Sequence, residues 1–261
     1  MTSLAAELRR KISKGPVLGS LLLGRDPAFV EVYAAAGWDF VIADCEHGLQ
    51  DQKVLLEFHR AAEASGVALL VRWPVEDLGH LTPILDAGFA GVLLADASCG
   101  EGVAAAVARM FYGPQGGRSL NPFVRAAGYG KADAASIVAS GDRPIIWTMA
   151  EQAGEYATDD LFSAPGLEGA LVGPYDLSVA AGYPGNVEHP EVQALIAGIF
   201  RIAGERGLTP GIFTRSAEAA AHYLDVGARM VVVGVDLDLM RRHLASVRAS
   251  VFGLDKEAAG S

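Results

Sequence analysis

Four apolar runs in this chain end in ionisable groups where a plain turn would be expected. Phe40-Val41-Ile42-Ala43 runs into Asp44-Cys45-Glu46-His47, and Ala68-Leu69-Leu70-Val71 into Arg72. Ile145-Ile146-Trp147-Thr148-Met149 is followed by Glu151, and Ala170-Leu171-Val172-Gly173-Pro174 by Asp176. Short, nearly continuous apolar runs of this kind read as strands buried on both faces of a parallel sheet. A second pattern frames them. A helical segment closes on a glycine and a β-branched run follows at once, at Gly37, Gly88 and Gly227, and more loosely at Gly66 and Gly207. Glycine supplies the left-handed helix cap from which a short loop feeds the next strand. Counting these units predicts eight strands, near 16–23, 39–44, 68–72, 91–96, 144–149, 169–173, 209–214 and 230–234. Eight β/α units favour an α/β fold of the TIM (β/α)8 barrel type over an open doubly wound sheet. In a barrel the C-terminal strand ends converge on one face, where residues distant in sequence meet a ligand.

Length agrees with this picture. A chain of 261 residues without a Pro/Gly/Ser-rich linker is expected to be a single barrel domain over 1–261. Its amphipathic start, Leu4 to Lys11, is expected to be a helix covering the barrel floor. No apolar run approaches the roughly 20 residues needed to cross a bilayer, so no membrane partner is expected. The formal charge of −10 argues against nucleic acid, whose phosphates demand clustered Lys and Arg. Cys45 and Cys99 are the only cysteines, and a reducing cytoplasm suits them; the first residues lack the continuous apolar stretch and small-residue cleavage site of a secretory signal, so none is expected, and acidic Glu7 argues against the alternative of a transit peptide. Gly19-Ser20-Leu21-Leu22-Leu23-Gly24 lacks the dinucleotide-binding glycine spacing.

The strand-end residues suggest chemistry. Glu151 and Asp176 end neighbouring strands with no Cys or His pair beside them, a donor set suited to a hard divalent ion such as Mg²⁺ or Mn²⁺; each could instead cap the helix that follows. The planar fork of Arg72 could hold a carboxylate or enolate oxygen, or serve as a surface ion pair. His47 is the one histidine at such a strand end, and imidazole suits general-base work. Asp86 closes a helix, where a negative charge opposes the macrodipole, which hints at another duty such as orienting His47. His59, His80, His189 and His222 fall in helices or helix starts and are expected at the surface. The long irregular stretch from Tyr112 to about Ala134 carries Arg118 and Arg125, which could close over an anionic substrate, reach a neighbouring subunit or simply be solvated.

Taken in order, these stretches resemble the HpcH/HpaI family of metal-dependent class II pyruvate aldolases. The matching residues are Asp44-Cys45-Glu46-His47-Gly48, Val71-Arg72-Trp73-Pro74, Leu85-Asp86-Ala87-Gly88, Pro114 to Arg118, Met149-Ala150-Glu151 and Gly173-Pro174-Tyr175-Asp176-Leu177-Ser178. The resemblance runs from about residue 4 to 253. It implies a barrel with a C-terminal helix swapped between partners, and a homo-oligomer, a hexamer or trimer of dimers. It implies His47 paired with Asp86 as catalytic base, and Arg72 binding the keto acid and its enolate. Glu151 and Asp176 would hold Mg²⁺, Mn²⁺ or Co²⁺, and the backbone at Gly173 and Pro174, beside Asp176, would cradle the substrate carboxylate. The implied reaction joins or splits a 4-hydroxy-2-keto acid, pyruvate or a related 2-keto acid on one side and an aldehyde on the other. No lysine stands at a strand end for a Schiff base.

Four features depart from the family. Cys45, Trp73 and Phe213-Thr214 stand where pocket size could change, and Ser119 to Phe123 replaces a glycine-rich segment. At the family's spacing from Gly173-Pro174-Tyr175-Asp176, the metal-binding glutamate would fall on Ala150. One residue missing between Gln152 and Ser163 would restore it to Glu151, since connecting segments absorb length changes that strands cannot. Glu155 is the competing ligand. A citrate-lyase-like or malyl-coenzyme-A-type lyase, an oxaloacetate decarboxylase, or a barrel that has lost its metal and its catalysis would share most of these residues.

Overall fold

The structure is a computed structural model that describes residues 3–97, 99–140, 143–152 and 161–254. Eight parallel strands close a barrel in sequence order: β1 (Val17–Leu22), β2 (Phe40–Asp44), β3 (Ala68–Pro74), β4 (Gly91–Ala95), β5 (Ile145–Ala150), β6 (Gly169–Val172), β7 (Thr209–Thr214) and β8 (Met230–Val235). The helices are α1 (Leu4–Lys14), α2 (Ala28–Ala35), α3 (Gln52–Ser65), α4 (Leu81–Ala87), α5 (Gly100–Met110), α6 (Ala134–Ala139), α7 (Pro174–Ala180), α8 (Pro190–Glu205), α9 (Ala217–Asp225) and α10 (Asp236–Phe252). The five glycines expected to end helices, Gly37, Gly66, Gly88, Gly207 and Gly227, all sit at positive φ, where a Cβ would be strained.

Strand alternation divides the apolar side chains into two cores. Phe40, Ile42, Leu70, Leu93, Trp147 and Met149 fill the barrel interior, with Phe40 and Trp147 meeting edge to face at 5.3 Å. Their sequence neighbours Val41, Ala43, Leu69, Val71, Leu94 and Ile146 pack outward against the helices. Because the period is two, this split decides which strand-end residue points into the barrel.

As expected, α1 covers the floor: Ala5 and Leu8 join the interior core. The Arg9 guanidinium locks the helix there, bonding both oxygens of Glu168 at 2.7 Å and the carbonyls of Arg143 and Pro144 at 3.0 Å. The last helix is different. Only Asp236 of α10 is buried, while Leu237, Met240, Leu244, Val247 and Val251 are exposed at alternating spacings of three and four, which places them on one stripe. Among the described residues no helix is long and apolar enough to cross a membrane.

Candidate active site

The register of β2 against β3 sets Asp44 directly opposite Arg72, so the two strand ends form one ionic unit. Arg72 Nε donates to Asp44 Oδ1 at 3.0 Å and Nη2 to Oδ2 at 2.5 Å, a bidentate pair buried at the barrel mouth. Glu46 Oε2 lies 2.8 Å from Arg72 Nη1, in an ion pair whose angle misses that of a hydrogen bond. Asp44 Oδ1 also accepts from the backbone N–H groups of Glu46 and His47, at 3.0 and 3.2 Å. One carboxylate therefore fixes both the arginine fork and the turn that carries His47. Burial acts to lower the Arg72 pKa, but the hydrogen bond and charge of Asp44, with the negative charges of Glu46 and Glu151, outweigh it and raise the value.

His47, Arg72, Glu151 and Asp176 line one cavity of about 170 Å³ at the C-terminal end of the barrel. Gly173 and Pro174 form another part of its edge; Leu21, Leu93, Met149 and Leu171 rise from the interior core beneath it, and Tyr175 and Phe213 wall one side. A larger cavity of about 250 Å³, lined by Arg118 and Arg143, lies at the barrel floor and contains none of the strand-end carboxylates.

Alternation distinguishes Ala150 from Glu151. Ala150 packs in the outer core with the helices, and the next side chain, Glu151, faces the cavity. Gly173 makes room for it: a Cβ there would lie 2.8 Å from both Cγ and Oε1 of Glu151. Burial, then the negative charges of Glu46 and Asp176, push the Glu151 carboxyl up to about 8, against the pull of Arg72. Glu46 is likewise raised, by burial first and by Asp96 and Asp44, with Arg72 and His47 opposing. The cavity is thus crowded with negative charge that one buried arginine leaves uncompensated. Glu155 lies outside the described residues.

Several expectations are corrected. Asp86 does not reach His47 within the chain. It sits in the last turn of α4, which returns antiparallel to the floor of the barrel, and its Oδ1 accepts from Arg118 at 2.9 Å. The Tyr112–Ala134 stretch follows α5 to the same floor, so Arg118 and Arg125 do not close over the cavity; Arg125 bonds His59 Nε2 at 2.7 Å and the Glu63 carboxylate. His59 is no surface residue. It is 1% exposed, stacked on Phe89 at 5.1 Å, because it occupies the helix face of α3 that packs inward. Trp73 and Cys45 do not shape the cavity: both pack in the outer core, Trp73 Nε1 donating to the Asp77 carbonyl at 2.7 Å. Phe213 does line it, whereas Thr214, its neighbour on the opposite parity, does not.

Sequence reasoning gave no role to Asp44, Glu46 or Asp96. The first two stood in the Asp-Cys-Glu-His run, but only the β2–β3 register shows that they grip Arg72. Asp96 gave a weaker signal, one acidic residue beyond β4; it adopts a φ of 53° and adds its charge to those acting on Glu46 and Glu151.

Comparison with known proteins gives the chain its relatives. A family model described as HpcH/HpaI aldolase/citrate lyase matches residues 18–242. A 5-keto-4-deoxy-D-glucarate aldolase of Klebsiella pneumoniae is 32% identical over 216 residues, 83% of this chain and 84% of that protein. Among solved structures, an HpcH/HpaI aldolase from Desulfitobacterium hafniense DCB-2 superposes with a TM-score of 0.88 at 27% identity, covering 95% of this chain and 98% of the other. The citrate synthase SbnG gives 0.81 at 28% identity over 96% and 98%.

Proposed function

The chain belongs to the HpcH/HpaI aldolase/citrate lyase family and is a carbon–carbon lyase, and from that premise we propose that it is a divalent-metal-dependent aldolase. It would interconvert a 4-hydroxy-2-keto acid with pyruvate, or a related 2-keto acid, and an aldehyde. The observation that carries this reading is the meeting of Glu151 and Asp176 with Arg72 and His47 around one cavity.

The residues fit a metal. Glu151 and Asp176 offer oxygen donors of the hard kind that Mg²⁺, Mn²⁺ and Co²⁺ accept. The burial and repulsion that hold Glu151 near 8 are relieved by a nearby dication. Among the described residues no three metal-binding side chains converge, so water and substrate oxygens would complete the shell. When bound, such an ion supplies the positive charge that draws electrons from the keto group.

The chain's own residues then divide the work. Asp44 and Glu46 hold Arg72 so that the second N–H of each terminal nitrogen can donate to the keto-acid oxygen on which negative charge grows. Backbone around Gly173 and Pro174 orients the carboxylate. In the cleavage direction His47 takes the 4-hydroxyl proton, the C3–C4 bond breaks, and its electron pair becomes the enolate of the keto acid while C4 leaves as an aldehyde. The enolate carbon then takes up a proton. Asp86 could orient His47 only from a second copy of the chain. The exposed apolar stripe of α10 favours such an assembly, in which a partner covers that helix.

The test is pyruvate release from a 4-hydroxy-2-keto acid by chelator-treated protein, with and without Mg²⁺, Mn²⁺ or Co²⁺. Release indifferent to metal refutes the mechanism. The likeness to a citrate synthase favours one second reading, addition of the same kind of enolate to a keto acid; offering oxaloacetate in place of the aldehyde tests it.

A further inference from the structure

Three elements meet at a buried imidazole on the floor side of the barrel. His59 lies on the inward face of α3, 1% exposed and stacked on Phe89. The left-handed turn that ends α4 closes over it, near enough that a Cβ on Gly88 would lie 3.3 Å from His59 Nε2. From the third side comes the single turn Arg125–Ala127. Arg125 Nη1 stands 2.7 Å from that same Nε2 and donates to the Ala87 carbonyl at 3.3 Å, while Nη2 donates to the Glu63 carboxylate. A guanidinium can only donate. Nε2 must therefore accept, and the ring proton must sit on Nδ1, which is buried without a partner. The contact requires a neutral ring. It also anchors a larger piece, because Gly128 N–H bonds to the Arg125 carbonyl, Tyr129 N–H to that of Val124 and Gly130 N–H to that of Pro122. These bonds tie 122–130 together, and Arg125 is its polar hold on α3 and α4.

Protonation of the ring would set N–H against N–H at this contact, with two positive charges touching. Another partner is at hand. Glu63, one helical turn further along α3, has Oε1 3.4 Å from Nε2 and a side chain 45% exposed, free to shift. The hydrogen bond from Arg125 holds its carboxyl below the ordinary value, so it is charged wherever the ring takes up a proton. Among the described residues Glu63 and Arg125 are the ionised groups facing the ring; α4 turns only the Ala87 carbonyl to this side, its Asp86 being bonded to Arg118. We propose that His59 is a proton-operated latch: neutral, it binds Arg125 and fastens the 118–131 segment to α3 and the end of α4; protonated, it pairs with Glu63 and releases Arg125. Burial, with the Arg125 charge and against the pull of Glu63, places the change below the ordinary imidazole value. The segment's contents say what the latch governs. Arg118 at its start holds Asp86, and Phe123 and Tyr129 form its exposed surface, so opening frees the end of α4 and alters the face the floor presents.

Hydrogen–deuterium exchange at pH 7.5 and pH 5, with labelling times scaled for the intrinsic rate, tests the latch in wild type and His59→Gln. The readout is protection of the amides of 119–131 relative to those of α8. Glutamine keeps an uncharged oxygen acceptor for Arg125 at either pH. Wild type should lose relative protection at pH 5 several-fold, up to about 30-fold, the limit set by an open-state imidazole at its ordinary 6.5; His59→Gln should not. Unchanged relative protection in wild type, or the same loss in both proteins, overturns the proposal. If His59→Gln does not fold, the wild-type His59 ring, identified by NMR through its contact with Phe89, is titrated instead. Its midpoint should fall below 6.5 and coincide with that of the exchange; a higher midpoint, or one that differs from the exchange, overturns the proposal.

Discussion

Lowering the pH from 9 to 6 should weaken Mg²⁺ or Mn²⁺ binding by about 100-fold, because the cation must displace a proton from Glu151. Burial and the Glu46 and Asp176 charges hold that carboxyl up to about 8, so at pH 7 roughly nine in ten sites carry the proton. Each cation should then release about 0.9 proton at pH 7, with affinity climbing close to tenfold per pH unit up to about 8 and flattening above. Glu46, also raised, can only steepen the climb. Isothermal titration calorimetry in two buffers of different ionisation enthalpy reads the proton count directly. Stability supplies an independent check. The folded pKa is raised above the ordinary 4.5, so between about 4.5 and 8 the unfolded chain gives up a proton that the folded metal-free protein keeps. This contribution is present below that window and is lost as pH rises through it, by at most about 5 kcal/mol. Glu151→Gln should abolish metal-dependent activity, remove the proton release and flatten that slope, whereas Glu155→Gln should do none of these. Affinity that is flat from pH 6 to 9 in wild type would refute the placement of Glu151 in the metal site.

Replacing Asp44 with Ala strands the buried Arg72 charge and should cost about 3 kcal/mol or more in urea unfolding, with turnover falling as the fork and the His47 turn loosen. His47→Ala should keep metal affinity while lowering aldol turnover by about 10²–10⁴-fold; full activity would assign the base to another group. Phe40→Ala, emptying the barrel interior against Trp147, should destabilise by about 3–5 kcal/mol, read from the same unfolding curves. His59 is held below its ordinary 6.5 by burial and the Arg125 charge, against the pull of Glu63. Its contribution should therefore be lost as pH falls below about 6.5, and His59→Gln should narrow the drop in melting temperature between pH 7 and 5.

What the sequence alone determined was whatever is local and periodic. Buried parallel strands are written in short apolar runs, and helix ends in glycines that adopt left-handed φ, so eight strands, their order along the chain and the floor helix were legible from patterns of two and three to four residues. The polar residues at strand ends marked the face that carries the candidate site, because the C-terminal ends of parallel barrel strands converge there. The choice of Glu151 over Ala150 as the cavity-facing side chain also followed from local logic, because a strand cannot lose a residue without turning its faces over. Contacts between distant segments were decided by tertiary structure. The β2–β3 register makes Asp44 and Glu46 the holders of Arg72, and no spacing within either segment encodes it. The antiparallel return of α4 takes Asp86 to the floor with Arg118, far from the residue its motif suggested. His59 is buried because of what packs on α3, and Arg215 pairs with Asp238 because β7 ends beside the start of α10. Burial and charge at these places are sums over several strands, and they exist only once the barrel closes.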